Sequence, residues 1–154
     1  MKNWITVKAS NFTLPSTSQN NYSLKNSIGK YVVLYFYPKD DTPGCTIETN
    51  DFNNLLPKFK KLNCEIYGIS KDDLKSHHKF KEKYKIKFDL LSDVELNILK
   101  KYNVWAKKKF MGREFMGIVR TTFLIDPNGK IVKIWDNVKV KDHAKEVLDT
   151  LKGI

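Results

Sequence analysis

The run Tyr31-Val32-Val33-Leu34-Tyr35-Phe36-Tyr37, stopped by Pro38, constrains the fold of this chain more than any other segment. It is apolar on both alternating faces, so as a strand it must be covered on both sides and sit in the middle of a sheet. The loop 38–44 follows, and from Thr46 to Leu62 the apolar positions Phe52, Leu55, Leu56 and Phe59 recur at helical spacing. Cys64-Glu65-Ile66-Tyr67-Gly68-Ile69-Ser70 then reads as a second strand. Strand, helix, strand in this order predicts a parallel pair joined by a right-handed crossover, and hence an α/β core.

The rest of the chain fits around that unit. Residues 72–85 predict a highly charged helix. Ser92-Asp93-Val94-Glu95 has the form of a capping box ahead of Leu99 and Tyr102, which predicts a further helix. Thr121-Thr122-Phe123-Leu124-Ile125 and Ile131-Val132-Lys133-Ile134-Trp135 flank Asp126-Pro127-Asn128-Gly129-Lys130, the signature of a hairpin. Ala144, Val147, Leu148 and Leu151 mark a last amphipathic helix packed on the sheet. Residues 105–119 show no clear periodicity and are expected to form a loop, where Trp105, Phe110 and Phe115 are expected to be exposed and to line a pocket or an interface. The element order is that of a thioredoxin-like fold: a central mixed sheet flanked by helices, an N-terminal extension over 4–14 and one inserted helix. With 154 residues, 41% of them hydrophobic, the chain is sized for one core, and residues 1–154 are expected to form a single domain.

No stretch is long and apolar enough to span a membrane, and Met1-Lys2-Asn3-Trp4-Ile5-Thr6 lacks the apolar core of a signal peptide, so a cytoplasmic location is expected. The formal net charge of +11 raises nucleic acid, an anionic membrane or an acidic partner as candidates. The lysines are interleaved with acidic residues over much of the chain, so they are expected to form a solvated surface, with no nucleic acid and no membrane as partner. His77 and His78 are adjacent and point about 100° apart on a helix, so they cannot grip one metal ion together, and no cluster completes a site. Both, with His143, are expected on helix surfaces, and no metal, haem or flavin is expected.

The two cysteines are too few for a disulfide scaffold, which leaves each thiol as core filler or as chemistry. Cys45 follows Thr42-Pro43-Gly44 where a loop leaves a central strand and a helix begins, the place where open α/β sheets bind ligands. The unpaired N–H groups and dipole of a first helical turn favour an anion, so this position suits a nucleophilic thiolate.

Pro38-Lys39-Asp40-Asp41-Thr42-Pro43-Gly44-Cys45 has the P-x-x-x-T-x-x-C form of the peroxiredoxin active site. Together with Tyr35-Phe36-Tyr37, Thr46-Ile47-Glu48, Val104-Trp105-Ala106-Lys107-Lys108-Lys109-Phe110-Met111-Gly112 and the stretch 117–126, it resembles the peroxiredoxin Q group, also called bacterioferritin comigratory protein, over nearly the whole chain. The resemblance implies a peroxidase of hydrogen peroxide and organic hydroperoxides. Cys45 would become a sulfenic acid, Thr42 would set its hydroxyl against the peroxide and the thiolate, Arg120 would hold positive charge at the sulfur, and Pro38 would shield the pocket. It also implies a monomer or weak dimer.

Many members of that group carry a second cysteine five residues after the first, where this chain has Asn50. Cys64 is expected at the far end of the crossover helix, roughly 20 Å or more away, whereas a disulfide needs Cα atoms within about 7 Å. Cys64, alternating with Ile66 and Gly68, reads as packing. A one-cysteine mechanism is therefore expected, with thioredoxin, glutaredoxin or a small thiol as external reductant. The alternatives weighed are a non-catalytic basic module for nucleic acid or an acidic protein, a cysteine hydrolase, which lacks a placed base, and a disulfide oxidoreductase, which lacks a C-x-x-C motif.

Overall fold

A computed structural model describes residues 4–154. Short strands β1 (Thr13–Leu14) and β2 (Tyr22–Ser23) precede β3 (Tyr31–Phe36), α1 (Pro43–Lys61), β4 (Cys64–Ser70), α2 (Leu74–Tyr84), β5 (Leu90–Ser92) and α3 (Asn97–Lys101). Then come β6 (Trp105–Phe110), β7 (Arg113–Ile118), β8 (Thr121–Ile125), β9 (Ile131–Trp135) and α4 (His143–Lys152). Five strands form the main sheet in the order β5-β4-β3-β8-β9. β3, β4 and β5 run parallel, while β8 pairs antiparallel with both β3 and β9.

The central position of β3 follows from its composition. Val33 and Tyr35 face a core shared with Phe52, Leu56 and Phe59 of α1 and Val147 and Leu148 of α4. Val32, Leu34 and Phe36 face a second core with Phe12, Leu14, Leu99, Tyr102 and Phe123. Val33, Leu34, Tyr35 and Phe36 are all 0% exposed, and each such side chain contributes about 1.5–3 kcal/mol relative to an exposed one. The same packing carries α1 through Pro57, which removes a ladder bond at a cost of about 3 kcal/mol in an unsupported helix. The N-terminal extension lies over the second core, with Ala9 N–H donating to Gly129 O at 2.8 Å.

Two expectations need correction. Residues 105–118 are a β-hairpin, β6–β7, rather than a loop; Met111 (φ 52) and Gly112 (φ 79) form its two-residue turn in the left-handed region that matches strand twist. Its distal residues 109–116 are exposed on both faces, so no alternation betrays it in the sequence, and Trp105, expected exposed, is partly buried against the second core. The capping box at Ser92 and Glu95 does not form either. Ser92 lies in β5, and Asp93 caps α3 instead, its Oδ2 accepting from Ile98 N at 2.9 Å and Leu99 N at 2.8 Å.

Candidate active site

The C-terminal end of β3 opens onto loop 38–42, and Thr42 is the extended residue (φ −96, ψ 156) at the N-cap of α1. Pro43 takes the first helical position, where its missing N–H is no loss, which puts Cys45 third in the helix, inside the turn whose N–H groups favour an anion. The thiol is 1% exposed. Arg120 lies between β7 and β8, just ahead of the strand that neighbours β3 with Thr121 paired to Phe36, and its Nη2 donates to Cys45 Sγ at 3.4 Å. Gly44 leaves room for it, since a Cβ there would sit 3.2 Å from Nη2.

The other arm of the same guanidinium, Nη1, donates to Glu48 Oε1 at 2.7 Å. Glu48 was not singled out from the sequence, although it sits three residues after Cys45 and so shares its helix face. It is 1% exposed, and its Oε2 has no partner among the described residues. Burial pushes the carboxyl up to about 7, against the pull of the Arg120 charge and hydrogen bond. Burial by itself would lower the Arg120 guanidinium, but Glu48 and Cys45 outweigh it and hold it above its ordinary value. One fixed cation thus spans a thiol and a carboxyl with little water present.

Thr42 is half-buried, and its hydroxyl donates to Lys39 O at 2.8 Å rather than to the sulfur. Half-buried Pro38 follows directly on the β3 run. The loop between them is fastened to α2. Asp40 accepts from Tyr37 Oη at 2.6 Å, Ser76 Oγ at 2.8 Å and His77 Nδ1 at 2.7 Å, while its N–H donates to Asp72 Oδ2 at 2.9 Å. Asp41, at φ 57, accepts from Lys83 Nζ at 2.8 Å and Tyr84 Oη at 2.6 Å.

This corrects the placement of two histidines. His77 is 0% exposed, because with Phe80 it forms the inward stripe of α2, while His78 alone of this pair is exposed. Asp40, Asp72 and His77 are close enough to suggest a cation site. His77 Nε2 faces Leu91 O at 2.9 Å and Nδ1 faces Asp40 at 2.7 Å, so both ring nitrogens already have protein partners. His143, also expected on the surface, is 5% exposed, with Nε2 on the Thr122 hydroxyl at 2.8 Å. Burial first, then the Arg120 charge, pull His143 down to about 4. Among the described residues no histidine hydrogen-bonds Cys45, so none stands as a base at the thiol.

Cys64 is 2% exposed at the start of β4, beyond the far end of α1, a helix of 19 residues or about 28 Å. Burial, then the charge of Glu65, push its thiol up to about 12, which makes it an inert core residue. Beneath the site, Tyr35 stacks on Phe52 at 4.8 Å and its hydroxyl shares a 2.9 Å hydrogen bond with Thr49. Gly68 makes this arrangement fit, since a Cβ there would lie 2.7 Å from the Tyr35 ring and hydroxyl.

A thiol at a helix N-terminus on a thioredoxin-like sheet, faced by a partly buried guanidinium and with no histidine hydrogen-bonded to it among the described residues, defines a thiol-based redox enzyme. Comparison with known proteins makes the assignment specific: residues 5–134 match the AhpC/TSA family, and the chain belongs to that family as a peroxiredoxin, a thiol-dependent peroxidase. It is 48% identical over 147 residues to peroxiredoxin Bcp of Bacillus subtilis, covering 96% of this chain and 94% of that one. A solved structure of Xanthomonas campestris peroxiredoxin Q superposes with a TM-score of 0.88 at 42% identity, covering 92% of this chain and 90% of that one. A Xylella fastidiosa PrxQ mutant gives 0.92 at 38%, covering 97% and 95%.

Proposed function

We propose that Cys45 is the peroxidatic residue and that the enzyme works by a one-cysteine mechanism. The Cys45 thiolate attacks one peroxide oxygen, an S–O bond forms, the O–O bond breaks, and the departing alkoxide or hydroxide takes up a proton to leave as alcohol or water. An external thiolate then attacks the sulfenic sulfur, releasing water and forming a mixed disulfide. A second thiol resolves that bond and returns Cys45 reduced.

The observation that carries this reading is the 3.4 Å approach of Arg120 Nη2 to Cys45 Sγ, with the same guanidinium held by buried Glu48. That cation stabilises the negative charge that develops on the leaving oxygen, from a position fixed beforehand. Thr42 donates to Lys39 O and so keeps its own lone pairs available to accept the peroxide O–H. Pro38 limits water at the pocket. A structure concerning the alkyl peroxide reduction activity of the Xanthomonas campestris bacterioferritin comigratory protein supports organic hydroperoxides as substrates beside hydrogen peroxide. Thioredoxin or a similar thiol is the reductant in this reading. The chain acts as one domain, monomeric or weakly dimeric, in the cytoplasm; among the described residues no helix is long and apolar enough to cross a membrane.

Stopped-flow oxidation by hydrogen peroxide tests the assignment. Wild type and Cys64→Ser should react equally fast and turn over with dithiothreitol, while Cys45→Ser should do neither. Loss of turnover in Cys64→Ser would remove the one-cysteine mechanism.

A further inference from the structure

The hairpin β6–β7 belongs to no larger sheet, yet its second strand runs directly into Arg120. The register pairs Lys108 with Phe115 and Phe110 with Arg113, so these four side chains share one face. Lys108 and Phe115 close over Gly117, where a Cβ would lie 3.1 Å from Lys108 Cδ and 3.4 Å from Phe115 Cε2. The Lys108 ammonium reaches Ile118 O at 2.9 Å, near enough to Arg120 and Cys45 for their charges to act on it. The shared face therefore adjoins the thiol.

Toward its tip the hairpin changes character. Phe110 is 67% exposed, Met111 87%, Phe115 47% and Met116 49%, and these are the only exposed Phe and Met side chains among the described residues. Such clustered apolar exposure marks a contact surface, and aromatic residues ringed by arginine are the usual anchors of one. Lys107, Lys108, Lys109 and Arg113 stand against Glu114 alone on the two strands. Of these cations only Lys107 has a salt-bridge partner among the described residues, Glu114 at 3.4 Å; Lys108 and Arg113 share the face of Phe110 and Phe115 while Lys107 and Lys109 lie on the other, so both faces of the hairpin carry free positive charge.

We propose that the tip of this hairpin is the docking surface for the protein that reduces Cys45, a dithiol protein whose surface around its own thiols is acidic and partly apolar. The inference rests on the peroxidase reading above. That chemistry supplies the occupant: the sulfenic acid must meet two thiols in succession, and the surface beside the sulfur fits an acidic partner. Basic residues at the rim of such a contact raise the association rate and make it fall with salt, while Phe110 and Phe115 supply the buried anchor. The partner's first thiolate attacks the Cys45 sulfur and displaces hydroxide, which leaves as water; its second thiol releases Cys45 and forms the partner's disulfide.

Steady-state peroxidase assays with two reductants separate the surface from the chemistry. Lys109→Glu/Arg113→Glu and Phe110→Ser leave the thiol, Arg120 and Glu48 in place. With reduced thioredoxin as the probe, kcat/KM should drop tenfold or more in each variant, and the wild-type rate should fall steeply with salt while the charge-reversed rate does not. With dithiothreitol, wild type and variants should turn over alike, which also shows that the variants are folded. Equal loss with both reductants, or loss with neither, overturns the docking surface. So does salt-sensitive binding of duplex DNA that the variants abolish while their thioredoxin kinetics stay unchanged. Failure of wild type to consume peroxide even with dithiothreitol would instead remove the peroxidase reading, and this inference with it.

Discussion

At the scale of single residues the site is a balance among Arg120, Glu48 and His143. Glu48 binds its proton more tightly folded, at about 7 against an ordinary 4.5, so the stability it contributes is present at low pH and is lost as pH rises from about 4.5 through 7. His143 is held neutral, at about 4 against 6.5, so its contribution is lost as pH falls from about 6.5 to 4. Each slope integrates to roughly 3 kcal/mol, and in the wild type the two largely cancel. Urea midpoints across pH 4–7 should therefore rise with pH in Glu48→Gln and fall with pH in His143→Gln; parallel curves in all three proteins would contradict these placements. Arg120→Ala should slow Cys45 oxidation by about a hundredfold to a thousandfold, the loss typical of a deleted donor to developing negative charge, as read by stopped flow. Thr42 and Cys45 are legible in the sequence as candidates through a motif and its spacing, and Arg120 as a candidate through the family resemblance. Glu48 is not, because a carboxylate on a helix looks solvated until the guanidinium that pairs with it is seen.

Among the elements, the coupling of loop 38–42 to α2 decides how firmly the thiol is presented. His77→Leu would take from the Asp40 carboxylate, 7% exposed, one of its hydrogen-bond partners, and should cost about 1–3 kcal/mol in urea unfolding. Adding Asp40→Ala should recover only part of that loss, because it leaves the Tyr37 and Ser76 hydroxyls without the carboxylate they donate to. Gly68→Ala should cost about 1–3 kcal/mol in the same assay, since its Cβ would press on Tyr35 and through it on Thr49. Strands β3, β4, β8 and β9, with α1 and α4, follow from hydrophobic pattern and turn chemistry, whereas the three-residue edge strand β5 is too short to show a period. The hairpin β6–β7 does not follow either, because no face of its tip is buried and period-two alternation arises only from burial on one side. His77 reads as solvated in a lysine-rich helix, and only its spacing of three from Phe80 hints that both point inward.

For the molecule as a whole, the sheet fixes where each cysteine can act. Cys45 opens α1 at the C-terminal edge of β3, and Cys64 begins β4 beyond the other end of that helix, so the two thiols cannot meet while the fold persists. The basic surface has its clearest local meaning at the hairpin beside Arg120, where unpaired cations and exposed aromatic side chains coincide; elsewhere it is broken by acidic neighbours. The most direct test is mass spectrometry of reduced protein given one equivalent of hydrogen peroxide with dimedone present, comparing wild type, Cys45→Ser and Cys64→Ser. A single rapid dimedone adduct on Cys45, retained in Cys64→Ser and missing from Cys45→Ser, is the expected result. Labelling of Cys45 no faster than a free thiol, or a Cys45 to Cys64 disulfide in place of the adduct, would contradict the account.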